Sequence, residues 1–136
     1  MNDDEQIEIL CVTKSLPSIL ALQYALTGRF RVLPAKRYEE CLAQIRGKNE
    51  LRLILIEHSD SEEALLTFLE ELKNIACQIP IIVCTQPKRI TGALFTEIVL
   101  DAGVAGFIDG LLFDEAGIRK EIYRVLNLKH EETALG

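Results

Sequence analysis

The chain has 136 residues, 49% of them hydrophobic and 26% charged, and a formal net charge of -6 from 15 Lys+Arg and 21 Asp+Glu. That length fits one domain, and the balance excludes a disordered or collagen-like chain. The acidic excess argues against a protein that grips a phosphate backbone through a broad basic face.

No apolar run approaches the ~20 residues that span a bilayer. The opening Met1-Asn2-Asp3-Asp4-Glu5 is acidic where a secretory signal is basic, so a cytoplasmic protein without membrane partners is expected. Cys11, Cys41, Cys77 and Cys84 form no CxxC pair and have no matching histidine spacing, so no metal site is expected. Free thiols acting as small hydrophobes in a reducing compartment account for them.

Short β-rich runs alternate with helical stretches along the chain. Ile7-Glu8-Ile9-Leu10-Cys11-Val12 reads as a first strand. An apolar helix over residues 18–26 follows, with Pro17 in its first turn and Gly28 just past its end. Phe30-Arg31-Val32-Leu33 is a second strand. Next comes a helix whose Tyr38, Cys41, Leu42 and Ile45 fall on one face. Residues 51–56 are almost continuously apolar, as in a parallel strand buried on both sides. Leu65, Leu66, Leu69 and Leu72 mark a third helix, and Pro80-Ile81-Ile82-Val83-Cys84 a fourth strand. A helix from Ala93 to Asp101 is closed by Gly103. Residues 104–108 form a fifth strand, and a last helix runs over about residues 114–128 with Ile118, Ile122, Val125 and Leu126 inward.

Five such units predict an α/β domain over residues 7–128, a doubly wound, five-stranded parallel sheet covered by helices on both faces. Residues 1–6 read as an acidic N-terminal tail and 129–136 as a tail or linker. Ligands and chemistry in such a sheet collect beyond the carboxyl ends of the strands. Here those ends are Thr13-Lys14-Ser15, Pro34-Ala35-Lys36, Glu57-His58-Ser59, Thr85-Gln86-Pro87 and Asp109-Gly110-Leu111. The sequence has no GxGxxG, Walker-type or GxSxG loop, which removes the usual dinucleotide, nucleotide and hydrolase readings and leaves no cofactor implied. His58 reads as a solvated loop residue, and His130 lies in the C-terminal tail.

The order of these segments resembles the receiver (CheY-like) domains of bacterial response regulators. The likeness runs from Ile9-Leu10-Cys11-Val12 through Leu53-Ile54-Leu55-Ile56 and Pro80-Ile81-Ile82-Val83-Cys84-Thr85 to Asp101-Ala102-Gly103-Val104-Ala105-Gly106-Phe107-Ile108. It implies the three-layer, flavodoxin-like (βα)5 fold and a role in two-component signalling. It also implies a catalytic set that this chain lacks. Thr13 and Lys14 stand at the acidic pair after strand one, Glu57 at the phosphoacceptor aspartate and Gly110 at the strand-five lysine. Thr85 alone matches, at the Thr/Ser position, and Phe107 falls at the switch aromatic.

Mg²⁺ needs hard oxygen ligands, and Lys14 puts an ammonium where the metal would sit. Glu57 is one methylene longer than aspartate, which displaces its carboxylate by about 1.5 Å, one carbon–carbon bond. The reading is therefore a pseudo-receiver: not an enzyme, without metal or cofactor, in which Lys14 and Glu57 form an ion pair across adjacent strand ends. Its partner would be a kinase, an output protein or a second copy, with no direct nucleic-acid contact. By the same resemblance, the partner face is the fourth helix, fifth strand and fifth helix, at Phe95, Phe107, Leu111, Leu112 and Tyr123. Two alternatives stand beside it. One is a phosphoacceptor at Glu57 or Asp60; the other is a small-molecule or nucleotide site with Lys14, Lys36, Lys88 and Arg89 as anion contacts.

Overall fold

A computed structural model describes residues 6–47, 50–58, 61–75, 78–85, 93–109 and 115–128. Strands and helices alternate as read from the sequence: β1 (Ile7–Val12), α1 (Leu16–Ala25), β2 (Phe30–Ala35), α2 (Tyr38–Gly47), β3 (Leu51–His58), α3 (Glu62–Asn74), β4 (Ile81–Thr85), α4 (Ala93–Asp101), β5 (Gly106–Asp109) and α5 (Glu115–Leu126). All strand pairs are parallel, in the order β2-β1-β3-β4-β5. That is the doubly wound order whose direction of winding reverses beside β1, between β1 and β3.

Strand side chains alternate between the two faces. Leu10, Val12, Ile54, Ile56, Ile81 and Val83 pack with Cys41 of α2, Leu65, Phe68, Leu69 and Leu72 of α3, and Val99 of α4. On the opposite face Ile9, Cys11, Leu53, Leu55, Ile82 and Cys84 pack with Ile19, Leu22 and Leu26 from α1 and its end, and with Ile118, Ile122 and Tyr123 of α5. Phe68 joins the expected stripe of α3 and stacks on Tyr38 of α2, ring centroids 4.3 Å apart. Cys11, Cys41 and Cys84 are buried free thiols; Cys77 lies outside the described residues.

Local chemistry sets the element ends. Ser15 caps α1 by accepting the Ser18 N–H at 3.2 Å, with Pro17 in the first turn. Beyond the helix, Gly28 turns the chain at φ +104, a region open to glycine at little cost. Ser61 caps α3 by accepting from the Ala64 N–H at 3.0 Å. Pro34 is accommodated because β2 is an edge strand. The Val32 carbonyl on the same strand accepts from the Gln23 side chain of α1 at 3.3 Å.

Several strand boundaries differ from the sequence reading. β2 continues through Pro34 and Ala35, which pair with Cys11 and Val12. β3 continues through Glu57 and His58, which pair with Cys84 and Thr85. β4 correspondingly ends on Thr85, inside the sheet and not in the loop. β5 begins at Gly106, not residue 104. There the Glu121 carboxylate and the Arg124 guanidinium of α5 lie over the strand, their Oε2 and Nη2 2.6 Å apart. The same Nη2 donates to the Ala105 carbonyl at 3.0 Å.

Candidate functional site at the strand ends

Register brings Thr13, just after β1, beside Glu57 of β3, because Val12 pairs with Ile56. Alternation along β3 turns Glu57 toward the α1 face and His58 toward the α2–α3 face. Thr13 and Glu57 are buried, as is Ser18 in the first turn of α1. The Thr13 hydroxyl donates a hydrogen bond to Glu57 Oε1. The Ser18 hydroxyl donates to Oε2 at 3.4 Å, so each carboxyl oxygen accepts from a hydroxyl. Thr13 Oγ1 in turn accepts the Ser15 N–H at 3.0 Å. The strand-three carboxyl is thus tied into the cap of α1, near the end of the helix dipole that favours negative charge. The extra methylene of glutamate relative to aspartate gives this carboxyl its reach.

Lys14 is exposed and lines a small cleft with Val12, Thr13, Lys36, Arg37, Tyr38 and Glu57. At about 20 Å³ it has room for roughly one water molecule. The cleft therefore brings together Thr13, Lys14, Glu57 and Lys36 of the expected residues, and adds Arg37 and Tyr38.

Burial shapes the thiols below this site. It pushes the Cys11 thiol well above the usual range, and the Glu57 charge adds to the effect. The Cys84 thiol is raised too, chiefly by burial and then by Cys11, Glu57 and Glu121. Both behave as neutral core residues.

The donor set does not suit Mg²⁺. The positions expected to carry the acidic pair hold a hydroxyl and an ammonium, and both oxygens of the remaining carboxyl are engaged by hydroxyls. Among the described residues, no group of three or more His, Cys, Asp or Glu could hold a metal ion.

Thr85 is fully buried at the end of β4 and pairs with His58, not Glu57, which puts it on the opposite face from the carboxyl. His58 is itself fully buried, in place of the solvated loop residue expected. Tyr123 is also corrected: it is 4% exposed and belongs to the core, not to an outward face. Its ring meets Phe30 edge-on at 5.9 Å, and the Arg29 guanidinium lies 5.5 Å from its centre. Phe107 is half-buried against the α2–α3 core. Gly110, Leu111, Leu112, Asp60, Lys88, Arg89 and His130 lie outside the described residues, as does the side chain of Phe95. Ser18 was missing from the expected set; its only sequence signal is a hydroxyl three residues after the Ser15 cap.

Among the described residues no helix is long and apolar enough to cross a membrane. No family model matches the sequence, and no curated protein matches it. Solved structures do. A response regulator from Thermotoga maritima superposes with a TM-score of 0.77 at 17% identity, covering 90% of this chain and 99% of that one. A CheY-like response regulator receiver domain from Methanospirillum hungatei gives 0.75 at 18% identity over 97% and 100%. A pilus assembly-related protein from Burkholderia pseudomallei gives 0.75 at 15% identity over 96% and 97%. The likeness covers at least 90% of this chain in each case, and the chain has the fold of the CheY-like receiver domains.

Proposed function

We propose that this chain is an atypical receiver domain of two-component-type signalling, acting through protein contacts without a Mg²⁺-dependent phosphoryl cycle. The structural neighbours titled response regulator and receiver domain support the signalling class. One observation carries the finer reading: both oxygens of Glu57 accept hydroxyl hydrogen bonds, from Thr13 and Ser18. In-line attack on a phosphodonor needs a free carboxylate oxygen, together with positive charge to stabilise the transferring group. Here each oxygen accepts a hydroxyl, which lowers its nucleophilicity, and the positions for metal ligands are filled by Thr13 and Lys14. The hydroxyl clamp ties the β1–α1 turn to β3. Lys14 contributes fixed positive charge at the mouth of the cleft. A kinase, an output protein or a second copy would read this fixed surface.

Incubation with acetyl phosphate and Mg²⁺, followed by intact mass measurement, tests the reading. No gain of about 80 Da, the mass of one phosphoryl group, is expected. A gain abolished by Glu57→Gln would overturn it, as would one abolished by Asp60→Asn.

A further inference from the structure

Glu57 is buried in the wall of the strand-end cleft, while Lys14, Lys36 and Arg37 line the same opening and are exposed. Backbone pairing brings the three cations together. Val12 pairs with Ala35, and the Thr13 N–H donates to the Ala35 carbonyl at 2.9 Å, so the turns after β1 and β2 leave the sheet side by side. Neighbouring strands lie about 5 Å apart. The cations around this cleft therefore repel one another within the ~10 Å reach of charges in about 0.1 M salt.

Nearby carboxylates are largely committed elsewhere. Both oxygens of Glu57 accept hydroxyls, and Glu40 Oε1 accepts the Lys36 N–H at 2.7 Å. Glu40 Oε2 lies 3.8 Å from Arg37 Nη2, too far for a hydrogen bond. Arg37 also holds the place before α2, its carbonyl accepting the Cys41 N–H at 3.1 Å. Its side chain cannot cap the helix as Ser15 and Ser61 cap α1 and α3. A cation at the positive end of a helix dipole is unfavourable, and Glu39 and Glu40 in the first turn oppose that cost. Such a local conflict is expected where a site is shaped by function.

Resting on the reading of Glu57 as a clamped group that accepts no phosphoryl, we propose that this cleft binds a phosphate monoester non-covalently. Its interior of about 20 Å³ admits one oxygen, the size of a water molecule. The other oxygens stay at the mouth among Lys14, Lys36 and Arg37, and the esterified group points to solvent. A monoester carries about -1.5 to -2 charge near pH 7 and three strong acceptor oxygens. That suits three cations offset by the one carboxylate of the lining. A carboxylate ligand brings a single charge and two oxygens in one plane, and fits less well. A polynucleotide needs a broad basic face, which a cleft this small does not supply. The site lies on the β1–β2 flank, and Thr85, on the opposite face from Glu57, takes no part in it.

The test titrates the full chain with phenyl phosphate, and with benzoate as the matched carboxylate, at constant ionic strength. Backbone amide resonances report binding. Phenyl phosphate is expected to give saturable shifts at millimolar concentration, centred on residues 13–15 and 36–38, and to bind at least tenfold tighter than benzoate. The Lys14→Gln/Lys36→Gln variant, both positions being exposed, is expected to keep its melting temperature and lose at least tenfold in affinity. Arg37→Gln alone should give a partial loss. A phosphoserine peptide distinguishes the source of the ligand. Binding at least tenfold tighter than phenyl phosphate assigns the site to a phosphorylated side chain of a partner, and equal binding assigns it to a free monoester; either supports the chemistry. No saturable shift, equal binding of benzoate, shifts centred elsewhere, or full affinity in the double variant would overturn the proposal. Binding is read here from reversible shifts and phosphorylation of Glu57 from covalent mass, so the two ideas fail separately.

Discussion

Thr13→Val removes one hydroxyl and keeps a branched side chain of similar volume at a buried position. The hydroxyl donates to Glu57 and accepts from the Ser15 N–H. A hydrogen bond to a charged group contributes about 1.5–3 kcal/mol, and loss of a second, neutral bond adds about 0.5–1 kcal/mol. The expected cost is therefore about 3 kcal/mol. For a domain of this size that lowers the melting temperature by roughly 10 °C. Urea unfolding followed by far-ultraviolet circular dichroism measures the cost directly. Pairing it with Glu57→Leu and the double variant isolates the Thr13–Glu57 link, because the Ser15 N–H loses its acceptor in both backgrounds. A coupling energy of about 2 kcal/mol is expected. Coupling below about 0.5 kcal/mol would mean that the hydroxyl does not hold the carboxyl, and the account of Glu57 as a clamped group would fail with it.

Tyr123→Ala should cost about 3–5 kcal/mol in the same assay, as for a buried aromatic, while Tyr24→Ala should change stability by less than about 0.5 kcal/mol. Equal effects would contradict the opposite environments of the two rings. Gly106→Ala places a Cβ 2.5 Å from Glu121 Oε2 and 3.2 Å from Arg124 Nη2. Because those are movable side-chain ends, a loss of only about 1 kcal/mol is expected, and it should vanish in a Glu121→Ala background. Stability should also fall with alkali. The raised Cys11 and Cys84 thiols stay protonated in the folded chain while unfolded thiols ionise near their ordinary value of 9.0. Each thiol then steepens the loss by up to about 1.4 kcal/mol per pH unit. A pH series of urea melts on Cys11→Val should show a shallower decline above pH ~9, and an unchanged slope would refute the assignment.

The alternation of elements was legible because each strand of a two-sided sheet must be a short apolar run. Residues 51–56 state that without ambiguity. The run does not say that β3 continues into Glu57 and His58. Those residues look like loop in isolation and become strand only by pairing with Cys84 and Thr85 of β4. Tyr123 was placed outward by the resemblance alone; the ring it meets in the core, Phe30, comes from a distant part of the chain. The acidic-pair substitution at Thr13 and Lys14 was visible as a departure, but its consequence was not. The hydroxyl of Ser18 completes the clamp only once α1 lies under β3. Helix α1 itself carries no polar face to orient it, so periodicity could not distinguish the inward Leu22 from the outward Leu20.

The outer margin of β2 limits how any partner can attach. Thr13 N–H bonds to the Ala35 carbonyl, so Pro34, one residue back, turns its backbone away from β1, where an added strand would need a donor and proline has none. Two residues earlier, the Val32 carbonyl is already taken by Gln23. The Phe30 N–H is spent on the Leu26 carbonyl. A visiting strand would find the ladder on this margin broken at three successive outward positions, which guards the molecule against edge-to-edge aggregation. Any contact made along this margin is consequently left to side chains, which can be substituted without disturbing the sheet.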